Sequence, residues 1–479
     1  MTHFQLLIGG EQKDAQNGAV EEIRSPFDGR VVATVPTAGS ADVDASIQAA
    51  EAGAARWSRT PAHQRNAIML KAAEIVEQRE EEIAQLLSAE NGKHLREARA
   101  EVGRSADLIR LSAFEGTQLY GDSLPLDANG GTGRDKIGFT MRQPVGIVAA
   151  ITPFNYPALL VMHKIAPALA AGNAVILKPA RTTPLTALAL AQCFIDAGLP
   201  PEALSVLTGP GAEIGDPLVS DPRVRKISFT GSTAVGNHIS QIAGVKKLSL
   251  ELGASSPVII MPDADLEKAA DAVAAGGYTN AGEVCISVQR VVVHEKIASQ
   301  FLEILEPKVR AITTGDPQDE SVTIGTLISS GEAQRVHEQV QKAISDGASL
   351  VCGGAFEGAI HEPTLLTNVD PAASISQEEL FGPVVAVSSA SDLAHAIEIA
   401  NATPYGLGAG IFTNDMTSSV QAMREIEAGV VHINWTPLWR ADLMPYGGLK
   451  ASGIGKEGVR SAVEEMTEVK TVVIHGEPW

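Results

Sequence analysis

Short β-branched runs alternate with helical stretches through the middle of this chain, and that alternation constrains its fold more than any other feature. The runs Val145–Ile151, Ala174–Leu177, Leu204–Leu207 and Lys226–Phe229 are largely apolar, as strands buried on both faces must be. Each is separated from the next by enough chain for a helix, so a parallel, doubly wound sheet is expected. A second such unit is expected to begin near Leu248, where Pro262-Asp263 opens a helix whose Leu266, Ala269, Ala270 and Val273 share one apolar face. From Ser40 to about Glu115 the text is rich in Ala and charge with a helical period, Ser40 suiting the first cap; these read as surface helices. Thr467–Ile474 alternates like a strand with no partner nearby in sequence, as an arm that pairs across subunits does.

At 479 residues the chain exceeds the roughly 250–300 at which one hydrophobic core stops growing, so two or more domains are expected. The 37 Lys and Arg against 57 Asp and Glu leave a net charge of -20, which speaks against general affinity for nucleic acid or anionic lipid. The most apolar stretch, Val145–Leu177, is broken by Pro153, Pro157, His163, Lys164, Pro167 and Gly172, unlike a membrane span. The first residues lack a basic segment followed by an apolar one, so a cytoplasmic location is the expectation. Cys193, Cys285 and Cys352 offer neither a disulfide framework nor a metal site, and no metal is expected.

Chemistry concentrates in a few segments. Cys285, in Asn280-Ala-Gly-Glu-Val-Cys285, stands among small, turn-forming residues where a thiolate can face a ligand. Glu251 ends a strand-like run that breaks at Gly253, a suitable place for a base. Asn155 lies on a loop stiffened by Pro153 and Pro157, where its amide either ties up a turn or donates to an oxyanion. Lys178 ends a strand, where it is either an exposed strand-end lysine or set where doubly wound sheets place ligands. Gly209-Pro-Gly211 to Gly215 and Phe229-Thr-Gly231-Ser232 each follow a strand and open a helix, as simple turns or as seats for a pyrophosphate. Cys193 and Cys352 read as core packing.

Taken together, these segments resemble the NAD(P)-dependent aldehyde dehydrogenase superfamily, in the same order over nearly the whole chain. The resemblance implies an α/β fold: a Rossmann-like doubly wound cofactor domain (1–117 and 138–247), an α/β catalytic domain (248–440), a small β oligomerisation arm (118–137 and 460–479) and a returning segment (441–459). It implies that Cys285 attacks the aldehyde, Asn155 holds the oxyanion and Glu251 activates the hydrolytic water. Cofactor positions carried over are Thr152, Pro153, Phe154, Lys178, Ala180, Arg181, Gly211, Gly215, Phe229, Gly231, Ser232, Glu379 and Phe381. Pro445-Tyr-Gly-Gly-Leu-Lys450 with Ser452-Gly453 matches the family's closing motifs. The partner implied is a small-molecule aldehyde, with no nucleic acid or membrane, in a homodimer or homotetramer.

Three departures from the family pattern bear on function. Ala254 replaces the second glycine of the glutamate loop, a mild perturbation that leaves the carboxylate in place. Arg181 stands where many NAD-selective members carry a glutamate; either it is a solvated surface charge or it pairs with a 2′-phosphate, so NADP is expected to be accepted alongside NAD, with a preference for it left open. Finally, Arg104, Tyr156, His163 and Arg440 match positions of the family's substrate funnel; either each arginine is a surface or structural charge, or the set points to a small aldehyde bearing hydroxyl or carboxylate groups, of the lactaldehyde, glycolaldehyde or succinate-semialdehyde type. Val284 rather than arginine before the nucleophile disfavours a phosphate dianion. The alternatives are a CoA-acylating dehydrogenase, disfavoured by the presence of Glu251, and a non-catalytic structural or binding protein of the same fold.

Overall fold

The computed structural model describes residues 2–477. Five parallel strands form the centre of its first sheet, in the order Lys247–Glu251, Val224–Thr230, Ile147–Ile151, Ala174–Lys178 and Leu204–Val206. Gly453–Ile454 adds antiparallel at one edge, and the pair Leu6–Ile8 and Glu11–Lys13 at the other. The apolar runs Ile147–Ile151 and Ala174–Lys178 are buried end to end because helices cover both faces. The helices Ser40–Trp57, Ala62–Gln78, Glu80–Asn91 and Leu95–Gly116 are not simply a surface layer. They point charge outward but bury Trp57, Met69, Val76 and Leu87 in the core over this sheet.

Two expected helix starts move. Gly39, not Ser40, caps the first helix, with the Asp42 carboxylate reaching back to accept from the Gly39 N–H at 2.9 Å. The helix expected to open at Pro262-Asp263 begins at Leu266, because Asp265 caps it by accepting from Lys268 N–H at 3.1 Å.

The strand order reverses beside Ile147–Ile151: the chain winds first through Ala174–Lys178 and Leu204–Val206, then returns to Val224–Thr230 on the other side. A crevice opens at the carboxyl ends of strands where such a reversal occurs. Here it is walled by the Thr152–Pro157 loop and by Gly231-Ser232.

The second sheet runs Ser349–Cys352, Thr364–Thr367, Val384–Ala390, Val288–His294, Ser256–Ile260, Gly408–Phe412 and Val430–Ile433, parallel except for its first strand. The strand containing Leu248, expected to start a second unit, instead belongs to the first sheet, and the second sheet's first strand in sequence is Ser256–Ile260. Cys285, Ala254 and Phe381 each lie just before a strand of this second sheet.

A third, three-stranded sheet pairs Thr467–His475 with Lys136–Pro144 over nine residues, and Ser123–Leu124 with the latter. The strand that pairs with the expected arm therefore continues to Pro144. The helix Val459–Glu465, expected within that arm, instead packs Val459 and Val463 into the first sheet's core. Among the described residues no helix is long and apolar enough to cross a membrane.

Trp57 is fully buried and its indole N–H donates to Leu169 O at 2.8 Å. Trp57→Ala is expected to destabilise the chain by about 3–5 kcal/mol, read as a lowered urea midpoint.

Candidate active site

The loop after Ile151 places Asn155 by holding its backbone. Its carbonyl accepts from Lys93 Nζ at 2.8 Å and from Asn280 Nδ2 at 3.2 Å. Its own Nδ2 donates to Glu283 O at 2.9 Å, which uses one of two amide hydrogens. Across the crevice the helix Leu266–Tyr278 ends in Asn280, Ala281 and Gly282, with φ of 51°, 51° and 73°. Three consecutive left-handed residues are costly, about 1–2 kcal/mol for each that is not glycine. At Gly282 a Cβ would also meet Gly382 O at 2.1 Å. The Asn280 side chain offsets part of that cost through its bonds to Asn155 O and Glu283 O, and the turn delivers Cys285 into the crevice.

The crevice holds about 250 Å³ between Pro153, Phe154 and Asn155 on one wall and Cys285, Glu379 and Phe381 on the other, with Gly231 and Ser232 beside them. Cys285 Sγ lies 3.1 Å from the Tyr446 hydroxyl. Burial pushes the thiol up to about 12, against the Tyr446 hydrogen bond and with the help of Glu379 and Glu251. At neutral pH it carries its proton.

Glu251 is buried, and neither carboxyl oxygen has a hydrogen-bond partner among the described residues. Burial, and then the charge of Glu457, push its carboxyl well above the usual range. Burial acts on Glu457 in the same sense, but Lys164 Nζ at 2.9 Å and Arg440 at 3.4 Å outweigh it and hold that group below its usual value. Of these adjacent acids, Glu457 bears the charge and Glu251 the proton. Lys164 sits in the fully buried helix Leu159–Ala170.

On the nucleotide side, Glu379 accepts from Ala254 N–H at 3.1 Å, and burial raises its carboxyl to about 7. Ala254 has no left-handed backbone, so its methyl group is accommodated; Gly253 is held by space, since a Cβ there would lie 2.9 Å from Glu379 Oε2. Phe381, at φ 51°, meets Phe154 edge to face with ring centres 5.8 Å apart. Gly231 is required by the Phe229 ring, which a Cβ would approach to 2.6 Å. Ser232 caps the helix Thr233–Ile242, accepting from Val235 N–H. Gly211 and Gly215 border open space, but they form a single wide turn before a helix of only five residues, Asp216–Ser220. Lys178 is buried at its strand end beside Thr152 and Ala180, and burial followed by the Arg181 charge lowers its ammonium to about 8. Arg181 is exposed yet not free: its Nε donates to both Glu21 oxygens, at 2.7 and 2.9 Å.

The four funnel residues gather behind Tyr446 rather than along the crevice wall. Arg104 grips Asp442 with two bonds, at 3.0 and 2.7 Å, and donates to Arg440 O. His163 lies 3.4 Å from both Asp442 and Arg440, and burial, then the Arg440 charge, lowers it to about 4. The Arg440 guanidinium stacks 3.9 Å over the Tyr446 ring. Tyr156 packs with Tyr446, Val284 and Cys285 in one apolar cluster. The reading from sequence did not single out Tyr446, Asp442, Glu457, Lys164 or Arg335, the last a crevice residue that donates to Leu380 O. A lysine inside the apolar run Leu159–Ala170 was a signal that a buried acid must exist to meet it.

Known proteins resemble this chain along nearly its whole length. The model of the aldehyde dehydrogenase family matches residues 13–472. The chain is 43% identical over 472 residues to a 3-sulfolactaldehyde dehydrogenase of Priestia aryabhattai, covering 98% of each. It is 38% identical to an NADP(+) succinate-semialdehyde dehydrogenase of Escherichia coli (strain K12), covering 98% of this chain and 97% of that one. Its fold superposes on the NADP complex of an NADP-dependent glyceraldehyde-3-phosphate dehydrogenase from Bacillus halodurans C-125 with a TM-score of 0.97, at 34% identity over 100% of both chains.

Because the Glu457 charge helps to keep Glu251 protonated, Glu457→Gln is expected to lower the pH at which Glu251 ionises. Infrared difference spectra of the protonated carboxyl band against pH, with Glu251→Gln to assign it, check this.

Proposed function

The chain belongs to the aldehyde dehydrogenase family, and from that premise we propose that it oxidises a small aldehyde bearing an anionic or hydroxyl group to the carboxylic acid, using NADP or NAD, through a thioester on Cys285. The observation that carries this reading is the meeting of Cys285, Asn155 and Glu379 in one crevice.

The crevice fits a nicotinamide dinucleotide. A capped helix start at Ser232, a glycine emptied by Phe229, a buried strand-end lysine and a buried carboxyl at Glu379 are donors and acceptors suited to a pyrophosphate and two riboses. When bound, the nicotinamide accepts the hydride that leaves the former carbonyl carbon. The chain's own residues do the rest. Cys285 loses its proton and Sγ bonds the aldehyde carbon, while the carbonyl electron pair moves to oxygen. That oxygen accepts from the second Asn155 Nδ2 hydrogen and from Cys285 N–H. Once the thioester exists, Glu251 in its ionised form takes a proton from water; the hydroxide adds to the thioester carbon and Cys285 departs with the acid as product.

The charge of the funnel supports an anionic substrate. Arg104 forks onto Asp442 in the geometry a substrate carboxylate would take, with neutral His163 beside that pair, while Arg440 is held by Glu457. The relatives named above act on a sulfonate and a carboxylate aldehyde, and the structural neighbour on a phosphate one. Lys178 at its strand end supports acceptance of a 2′-phosphate, and Arg181 adds to it through the guanidinium nitrogens other than the Nε that Glu21 holds. The projecting arm supports assembly with further copies of the chain, as a homodimer or homotetramer.

A panel of succinate semialdehyde, 3-sulfolactaldehyde, lactaldehyde and hexanal, with both cofactors, tests the reading: kcat/KM should favour the polar substrates by at least about tenfold. Superior hexanal turnover would overturn the substrate class. Arg181→Glu should shift the ratio of NADP to NAD efficiencies toward NAD. Glu251→Gln should give a burst of reduced cofactor without sustained turnover, and Cys285→Ala neither.

A further inference from the structure

Tyr446 takes no part in the steps above, yet its hydroxyl is 3.1 Å from the sulfur that forms the thioester. The ring is 4% exposed, so its packing holds it, and the Tyr446 backbone that carries it exchanges hydrogen bonds with Glu457 at 2.9 and 2.7 Å. The Arg440 guanidinium covers the ring face at 3.9 Å and is itself held by Glu457 and His163, each at 3.4 Å. A backbone bridge and a stacked cation thus fix the phenol facing Cys285.

We propose that Tyr446 is a further catalytic residue, whose hydroxyl donates a hydrogen bond to the Cys285 thiolate, and that Arg440 is the positioning residue that holds and polarises it. The proposal rests on the reading of Cys285 as nucleophile. A thiol is a weak donor, whereas a thiolate is a strong acceptor, so a hydroxyl beside sulfur favours the ionised form more than the neutral one. A cation over the ring draws electron density from the phenol and makes its O–H a better donor. The other titratable groups facing this pair are Glu379, Glu251 and Tyr156. The two carboxyls oppose the thiolate when ionised, and Glu251 is held protonated by its own surroundings, so Tyr446 and Arg440 are the groups that favour it. In the step itself the sulfur proton passes to solvent and Tyr446 keeps its own. When Sγ bonds carbon the sulfur becomes neutral and the hydrogen bond weakens; it forms again as Cys285 leaves as thiolate in hydrolysis, so the effect is largest wherever the sulfur carries charge.

The test is the rate of iodoacetamide alkylation of Cys285 against pH, without aldehyde or cofactor, followed by peptide mass spectrometry so that Cys193 and Cys352 are counted apart. Tyr446→Phe keeps the ring and removes the donor. Its profile should move up by about one pH unit, read as a roughly tenfold slower alkylation at each pH from 7 to 10. Arg440→Gln should move it in the same direction by less. A Tyr446→Phe profile that overlays the wild type, or moves down, overturns the proposal, and an unmoved Arg440→Gln profile removes the role given to Arg440. Sustained aldehyde turnover by Cys285→Ala would instead sink the thioester reading and leave the alkylation result standing.

Discussion

The hydrogen bonds that tie the loop after one sheet to the loop before the other are the interaction on which the site depends. Asn155 gives its amide to Glu283 O and takes Asn280 Nδ2 on its carbonyl, so the amide and the cysteine turn are positioned by each other. Beneath them Lys93 bonds Asn155 O and pairs with Glu101, both side chains being buried. Glu101 then accepts from the Ala158 and Leu159 N–H groups at 2.8 and 3.0 Å, anchoring the start of the helix that carries His163 and Lys164. One buried ion pair therefore registers the oxyanion side and the acid side of the crevice together. Removing either member would leave the other charged and unpaired in the interior, a far larger penalty than the pair's net worth.

The electrostatics follow from a shortage of buried cations near Glu251. Two adjacent acids cannot both ionise out of water. Lys164 and Arg440 lie against Glu457, so it takes the charge, and Glu251 is left neutral with Gly447 close by it: a Cβ on that glycine would lie 2.8 Å from Glu251 Oε1. That resting arrangement keeps a negative charge away from the sulfur while the thiolate is formed, and it has to be reversed before water can be activated. Acylation and hydrolysis thus call for opposite states of one carboxyl, which the Lys164–Glu457 pair stands next to.

Much of this was legible in the residues. Buried parallel strands announce themselves because both faces must be apolar, as Ile147–Ile151 and Ala174–Lys178 are. Cys285 and Asn155 stand in loops of unusual composition, Glu379 was implied only by the family resemblance, and the three line one crevice. What was not legible depends on the angle at which separate segments cross. Leu248 looked like the start of a new unit because its strand follows a helix, but its register with Val224–Thr230 is set by partners distant in sequence. Arg104 and Arg440 read as funnel charges; that Asp442 would clamp one and Tyr446 stack on the other is a fact of side-chain direction. Arg335 reaches the crevice from a helix that carries no motif at all.

The turn after Glu251 shows how two neighbouring small residues can answer to different rules. Gly253 is small because a methyl group would collide with Glu379 and Thr233, whereas Ala254 already carries one and needs only its N–H to meet Glu379. A signature written as a pair of obligatory glycines therefore merges a volume limit with a donor requirement. Position 254 tolerates drift that keeps the backbone extended and the side chain short, and position 253 tolerates none without moving the carboxyl it faces.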